Sequence, residues 1–313
     1  MVATLWAIVG ATGTGKSEAS LDLAERRAAI TGAQPEIVNA DAMQLYRGMN
    51  IGTAKLPVGE RRGIPHHLFD AFDPREEAAV AAYQPAARER ISEILAGGAD
   101  AILVGGSGLY VSSVIFDFQF PPRDDTVRAG LEADLESRGV ASLVNRLREL
   151  APDVAEAVDR RNPRRVVRAL EVALLGGDAR VTLPSEPEYW SAGESHDATR
   201  IIGISCEREV LTERLDRRVE RMWADGMLDE VRGLIPHGLE QGKTASRAIG
   251  YAQALAELRG DMSEAEAIAE TQALTRRYAR RQVSWFKRYP GVQWIDQTAG
   301  RDLAALDAVA AAR

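Results

Sequence analysis

The chain has 313 residues, enough for one large domain or two moderate ones at about 150 residues each. Hydrophobic residues at 45% and charged residues at 27% exclude wholesale disorder, and the single cysteine, Cys206, excludes a disulfide scaffold or a multi-cysteine metal site. The net charge of −7 alone argues against a polyanionic partner. The basic residues are unevenly placed, however: Arg160–Arg168 holds five arginines and no acid, and Arg276–Arg288 holds six basic residues and no acid. No apolar run reaches the roughly 18 residues that a membrane span needs, and Met1–Trp6 carries no basic leader, so a soluble, cytoplasmic protein is expected.

Leu5–Val9 is an apolar run ending in glycine and is expected as a buried strand, followed by a helix over Glu18–Ala29. Further strands are expected at Glu36–Ala40, at His67–Asp70 (the weakest), at Ala101–Val104 and at Arg200–Ser205, with a helix over Tyr83–Leu95. The alternation stops near Pro121-Pro122. From there only helical patterns run, over Thr126–Glu136, Val140–Leu150 and Pro163–Leu175, before a polar segment with Pro184, Pro187 and Gly193. Sheet patterning resumes at Ile201, and Glu209–Arg288 reads as helical. Alternating strands and helices imply a parallel sheet covered on both faces. Residues 1–121 and 197–313 are therefore expected as one α/β core, interrupted by an all-helical insertion over 122–196.

Between the first strand and first helix stands Gly10-Ala11-Thr12-Gly13-Thr14-Gly15-Lys16-Ser17, matching G-x-x-x-x-G-K-[ST] in its required strand–helix context. Glycines let successive N–H groups converge on phosphate oxygens, and the helix N-terminus adds partial positive charge. Lys16 supplies a full charge, and the Ser17 hydroxyl is suited to Mg²⁺. The core is thus expected to be P-loop NTPase-like. Gly242-Lys243-Thr244 also reads G-K-T, but His237 stands where the first glycine belongs and no strand precedes it, so it is a coincidence.

A phosphate loop binds a di- or triphosphate without implying ATP hydrolysis. The strand 101–104 does not end in the carboxylate an ATPase needs; it runs into Gly105-Gly106-Ser107-Gly108, glycines that imply close approach to a ligand. The nearest carboxylate after a strand is Asp41, placed to face the phosphate site or to cap a helix from Ala42. Arg161, Arg165 and Arg168 fall at i, i+4, i+7 and would form a basic stripe on one helix face; a solvated face is the plainer alternative. Tyr278, Gln282, Trp285 and Tyr289 share another face and are expected to look inward, whereas Arg277, Arg281 and Arg288 share a stripe suited to phosphates. His66 and His67 show neither an acid partner nor metal-ligand spacing and are expected to be structural. Arg217 and Arg221 are expected to pair with Asp216 and Glu220.

Taken together, the phosphate loop, Asp41–Tyr46, Ile51–Lys55, Pro65–Leu68, Gly105–Tyr110, Arg165–Glu171, Ala248–Tyr251 and Thr275–Phe286 resemble, in order, the tRNA dimethylallyltransferases, also called tRNA isopentenyltransferases. The resemblance runs along nearly the whole chain. Two departures are Ala11, where the family usually has proline, and Ser107, where it usually has threonine; Ser107 keeps the hydroxyl. The resemblance implies transfer of a dimethylallyl group from dimethylallyl diphosphate to N6 of the adenosine 3′ of the anticodon, with diphosphate leaving and Mg²⁺ as cofactor. It implies that Gly10–Ser17 bind the diphosphate, that Ser17 ligates the metal, and that Lys16, Arg214 and Arg218 oppose the leaving-group charge. Asp41 matches the general base and Ser107 an orienting hydroxyl. Asp41, Ala42, Met43, Gln44, Ser107, Arg128, Arg164, Arg165, Val166, Val167 and Arg168 match positions that contact the tRNA anticodon stem-loop. A monomer without membrane contact is expected. Two alternatives stay open: a small-molecule or nucleoside kinase, and a non-catalytic RNA-binding module with a structural nucleotide.

Overall fold

The computed structural model describes residues 2–116, 120–177, 189–190 and 199–311. The chain divides into two compact units, Met1–Asp117 with Glu188–Arg313, and Phe118–Pro187. Pro184, Pro187 and Gly193 lie outside the described residues. No helix among the described residues is long and apolar enough to cross a membrane.

In the first unit, β1 (Leu5–Gly10), α1 (Lys16–Thr31), β2 (Glu36–Asn39), β3 (His66–His67), α2 (Val80–Ala96), β4 (Ala101–Gly105) and α3 (Gly108–Ile115) follow in chain order. The sheet adds β5 (Arg200–Ser205) and β6 (Gln293–Asp296), all strands parallel in the order β3-β2-β4-β1-β5-β6. Central β1 is buried at all six positions, which is why its sequence is an unbroken apolar run without alternation. Register places Ile8 opposite both Val104 and Ile202, so the C-terminal ends of β4, β1 and β5 lie side by side. Trp6, Ile8, Ile102, Ile202 and Ile295 pack with Leu21 and Leu23 of α1 in one cluster.

Beneath the opposite end of the sheet, Asp100 is 1% exposed and holds three donors: Thr4 N–H at 2.8 Å, Trp6 Nε1 at 3.1 Å and Arg27 Nε at 2.6 Å. A buried carboxylate is tolerated only when paired in this way.

In the second unit, α4 (Asp125–Leu150) breaks at Gly139, whose φ of 74° and ψ of 167° leave the helix, so that the two expected helical stretches meet there. Then come α5 (Pro152–Ala157) and α6 (Pro163–Leu174). Leu131, Leu143, Leu147, Ala155, Val166 and Leu170 form its core. Fully buried Glu171 accepts from Arg128 at 2.6 Å, Arg168 at 2.7 Å and the Asp124 N–H at 3.1 Å.

The first unit continues with α7 (Arg208–Ala224), α8 (Met227–Leu234), α9 (Tyr251–Arg259), α10 (Glu264–Phe286) and α11 (Leu303–Ala311). The weak strand at 67–70 shrinks to His66–His67, because Leu68 and Asp70 take φ of 60° and 56°, outside strand geometry. Strand β6 and helix α11 lie beyond the last expected element. His67 does have an acid partner, Glu36 Oε2 at 2.5 Å on the neighbouring strand, which corrects the sequence expectation.

Candidate active site

The loop from Gly10 to Ser17 joins β1 to α1 as expected for a phosphate cradle. Gly15 caps α1 at φ 92°, a conformation that favours glycine, and any Cβ there would meet Gln297 Oε1 at 2.5 Å. Thr14 Oγ1 and Lys16 Nζ both donate to the Ala11 carbonyl, at 2.9 and 2.7 Å. Ala11 itself is buried against Leu211, Leu215 and Ala279, so the position needs a small apolar side chain. Gly242–Thr244 lies instead between two short helical turns, Leu239–Gln241 and Ala245–Arg247, with no strand before it.

Two cations attend the loop. Burial lowers Lys16 to about 8, with the Asp41 carboxylate pulling it back up and Arg218 pushing it further down. Burial likewise lowers Arg218, again against Asp41. Arg218 donates to Thr12 Oγ1 at 2.9 Å, while its Nε is buried without a hydrogen-bond partner among the described residues. Orphaned buried donors are rare, and this one stands beside an anion cradle. Arg214, one turn earlier on α7, donates to the carbonyls of Gln297 at 3.0 Å and Thr298 at 2.9 Å. It thus braces the turn that carries Gln297 against Gly15. The expected pairing of Arg217 and Arg221 with Asp216 and Glu220 is corrected: Asp216 takes Arg276, Glu220 takes the Gln272 amide at 3.3 Å, and Arg217 donates to the Glu213 carbonyl at 3.3 Å.

Asp41 follows β2, next to β4 in the sheet, and Ser107 follows β4. Asp41 does not cap a helix. Its Oδ1 accepts the Met43 N–H at 3.0 Å and its own N–H donates to Asn39 Oδ1 at 2.9 Å, closing a turn. The Asp41 carboxylate opposes the lowering of Lys16 and Arg218 by burial and adds to the rise of Tyr83, Tyr110 and Tyr278. Ser107 is 8% exposed; its Oγ accepts the Ala42 N–H at 3.1 Å and lies 3.5 Å from Tyr278 Oη. Burial pushes Tyr278 up to about 12, with Asp41 adding to the rise, so the phenol stays protonated at neutral pH. Gln44 Nε2 donates to the Thr53 and Ala54 carbonyls at 3.0 and 3.4 Å.

The glycines at the end of β4 and just beyond it make close approaches to protein. A Cβ on Gly105 would lie 2.3 Å from the Ala40 carbonyl oxygen, one on Gly106 2.3 Å from Gln282 Nε2, and one on Gly108 2.4 Å from Trp285. The inward stripe of α10 therefore meets this loop. Sequence reasoning missed three further supports. Gln297 sits against Gly15 as described. Glu230 accepts the N–H groups of Asn50 and Ile51 at 3.1 and 2.7 Å, and Tyr251 Oη donates to the same carboxylate at 2.5 Å. These last contacts explain why Ile51–Lys55 and Ala248–Tyr251, far apart in the chain, belong to one pattern.

A cavity of about 540 Å³ is walled by Gly10, Ala11 and Thr14 with Leu211, Leu215 and Val283, and neither Asp41 nor Ser107 lines it. Ser17, Asn39 and Gln44 line a separate small cavity of about 20 Å³.

In the second unit, Arg165 is exposed on α6, whereas Arg128 and Arg168 grip Glu171, and Arg168 also donates to the Pro121 and Pro122 carbonyls at 2.8 and 2.9 Å. Arg161 precedes the Asn162 cap of α6, so the expected three-residue stripe does not form on a helix. Val166 and Val167 are 0% and 5% exposed in the core, which removes their side chains from the expected RNA-contacting run.

A parallel sheet with a phosphate loop after its central strand, and a carboxylate and a hydroxyl following adjoining strands, defines a P-loop-like α/β protein. The family model described as IPP transferase matches residues 44–289. The chain is 56% identical over 308 residues, 98% of each chain, to the tRNA dimethylallyltransferase of Clavibacter sepedonicus. It is 57% identical to that of Leifsonia xyli subsp. xyli, over 81% of this chain and 95% of the relative. Among solved structures, the tRNA isopentenylpyrophosphate transferase of Bacillus halodurans is similar at TM-score 0.69 and 37% identity, covering 98% and 94% of the two chains. A eukaryotic dimethylallyltransferase acting on tRNA gives TM-score 0.75 at 28% identity, over 95% of this chain and 74% of that one. This chain belongs to the IPP transferase family and is a transferase.

Proposed function

We propose that this transferase moves the dimethylallyl group of dimethylallyl diphosphate to N6 of the adenosine 3′-adjacent to the anticodon of tRNA and releases diphosphate. The observation that carries the proposal is the phosphate loop between β1 and α1, with Arg218 on Thr12 Oγ1, set beside two strand-end loops in which Ser107 Oγ accepts the N–H of Ala42, the residue after Asp41. The activities named for the relatives agree with it.

In this reaction the allylic C–O bond breaks with its electron pair passing to the diphosphate oxygen, the N6 lone pair forms the N–C bond, and N6 loses one proton. Charge builds on the departing oxygen, where the loop N–H groups not already bonded, Lys16 and Arg218 oppose it. Adenine N6 is a poor nucleophile because its lone pair is delocalised into the ring. Asp41 accepts the proton as the bond forms, a contribution of about 10²- to 10⁴-fold. Its Oδ1 is committed to Met43 N–H, which leaves Oδ2 for the amine. Ser107 holds the Asp41–Ala42 peptide in place through the Ala42 N–H.

The reacting adenosine has to leave the anticodon stack, at a cost of a few kcal/mol. Gln44, with Nε2 tied to backbone carbonyls, presents Oε1 as an acceptor for a base edge. Ala42 and Met43 carry the same turn toward the RNA. Arg164 and Arg165 at the start of α6 supply phosphate contacts, and Arg128 and Arg168 contribute by building the helical unit.

For Mg²⁺, the chemistry of the donor set is the test. No group of three or more His, Cys, Asp or Glu side chains suited to a metal occurs among the described residues, but Ser17 and Asn39 offer hard oxygen donors around one small cavity. That fits a cation held mainly by diphosphate oxygens and water, as Mg²⁺ commonly is. When bound, it would add Lewis-acid neutralisation of the leaving diphosphate.

Incubation with dimethylallyl diphosphate, Mg²⁺ and unmodified tRNA, followed by nucleoside analysis, tests the proposal. The expected result is prenylated adenosine and one diphosphate per transfer. ATP turnover without RNA would favour a kinase, and RNA binding with neither product would favour a non-catalytic module.

A further inference from the structure

We infer that Gln282 is a positioning residue that sets the distance between the phosphate cradle and the Asp41–Ser107 pair. The inference rests on the proposed transfer and adds to it a residue whose side chain touches neither substrate. Gln282 lies on α10 and is 4% exposed. Its Oε1 accepts the Thr12 N–H at 2.8 Å, and its Nε2 donates to the Gly106 carbonyl at 2.8 Å. One planar amide thus ties two loops that sit on opposite sides of the reaction: the loop that holds the leaving group and the loop that carries Ser107.

The neighbours make this tie a fixed spacer. Thr12 is held from its other side by Arg218, which donates to its Oγ1 at 2.9 Å. Gly106 rests on Gln282 so closely that any Cβ there would lie 2.3 Å from Nε2. One turn before, Tyr278 reaches Ser107 Oγ at 3.5 Å; one turn after, the Trp285 ring covers Gly108 and its Nε1 donates to Ser112 at 3.2 Å. Successive turns of α10 therefore grip residues 107, 106 and 108, and only the middle grip extends to the phosphate cradle.

The chemistry requires one donor and one acceptor on the same short side chain. Gln282→Leu removes both. Gln282→Glu in its ionised form sets an acceptor against the Gly106 carbonyl, but protonated it restores an O–H donor for Gly106 and a carbonyl for Thr12. Burial favours the protonated form as pH falls.

Single-turnover transfer at saturating donor and tRNA, between pH 5.5 and 8.5, tests the inference with wild type, Gln282→Leu and Gln282→Glu. Misplacement of about 1 Å can cost on the order of 10²-fold in rate, so Gln282→Leu is expected to lose at least about tenfold in kcat with donor KM little changed. The rate of Gln282→Glu relative to wild type is expected to climb as pH falls. Wild-type rates in both variants would overturn the inference, as would a Gln282→Glu ratio flat with pH. If Gln282→Leu does not fold, the pH profile of Gln282→Glu decides alone. Absence of transfer by wild type would instead refute the functional proposal.

Discussion

Ser107 Oγ accepts the backbone N–H of Ala42 at 3.1 Å, joining two strand-end loops that stand 65 residues apart in the chain. The bond fixes the peptide that follows Asp41, so the carboxylate is aimed by a hydroxyl in the loop after the neighbouring strand. The same hydroxyl faces Tyr278 on α10. Ser107→Ala is expected to lower kcat by about 10- to 100-fold through misorientation, with donor KM nearly unchanged. Ser107→Thr keeps the hydroxyl and is expected to stay within about threefold of wild type. Steady-state kinetics on both variants checks the pair.

Lys16 supplies a pH dependence with a definite sign. Its folded value of about 8 lies below the ordinary 10.5 because burial penalises the charged form. A bound diphosphate favours the protonated lysine and raises its value. Affinity for the donor is therefore full below pH 8 and falls above it, by up to about tenfold per pH unit, as the free protein loses a proton that the complex keeps. Titration with an inert prenyl diphosphate analogue from pH 6.5 to 9.5 measures this, and the complex should take up a proton on forming above pH 8.

Affinity for an anticodon stem-loop should fall with added salt as counterions are released. Arg165 is exposed on α6, so Arg165→Ala is expected to reduce the slope of log K against log salt by about 0.7 to 1 without loss of stability. Arg168→Ala is expected to behave differently. It leaves buried Glu171 with Arg128 as its remaining guanidinium partner and should destabilise the helical unit by about 1–3 kcal/mol. Parallel binding and denaturation curves separate the two effects.

Asp100 anchors the far end of the sheet. Asp100→Ala leaves Arg27, 5% exposed, without its carboxylate and frees the Trp6 and Thr4 donors. The expected cost is about 3–5 kcal/mol, read from urea unfolding by the fluorescence of buried Trp6.

Much of the site is local in the chain and therefore legible in it. The phosphate loop declares itself because strand, glycines, lysine and helix are contiguous. Asp41 could be placed because a residue after a parallel strand faces the sheet's C-terminal edge. What escaped notice depends on partners distant in sequence. That Gln282 and Trp285 come down on the glycines at 106 and 108 could not be read from the sequence nearby. Strand β6 gave little signal, since Ile295 is its single buried side chain. Val166 and Val167 came with the resemblance, and helical periodicity turns their side chains inward while Arg165 faces out. Arg161 looked helical by spacing, but Asn162 caps the helix one residue later through the Arg165 N–H.

The central claim is that Asp41 takes the proton of an RNA-borne amine while the cradle holds the departing diphosphate. Asp41→Asn keeps an acceptor for the Met43 N–H and removes the basic oxygen. The deciding measurement is its single-turnover transfer rate to tRNA beside its affinity for an inert prenyl diphosphate analogue, both at pH 7. Transfer is expected to fall by about 10²- to 10⁴-fold with analogue affinity within about threefold of wild type. Transfer at the wild-type rate would contradict the account.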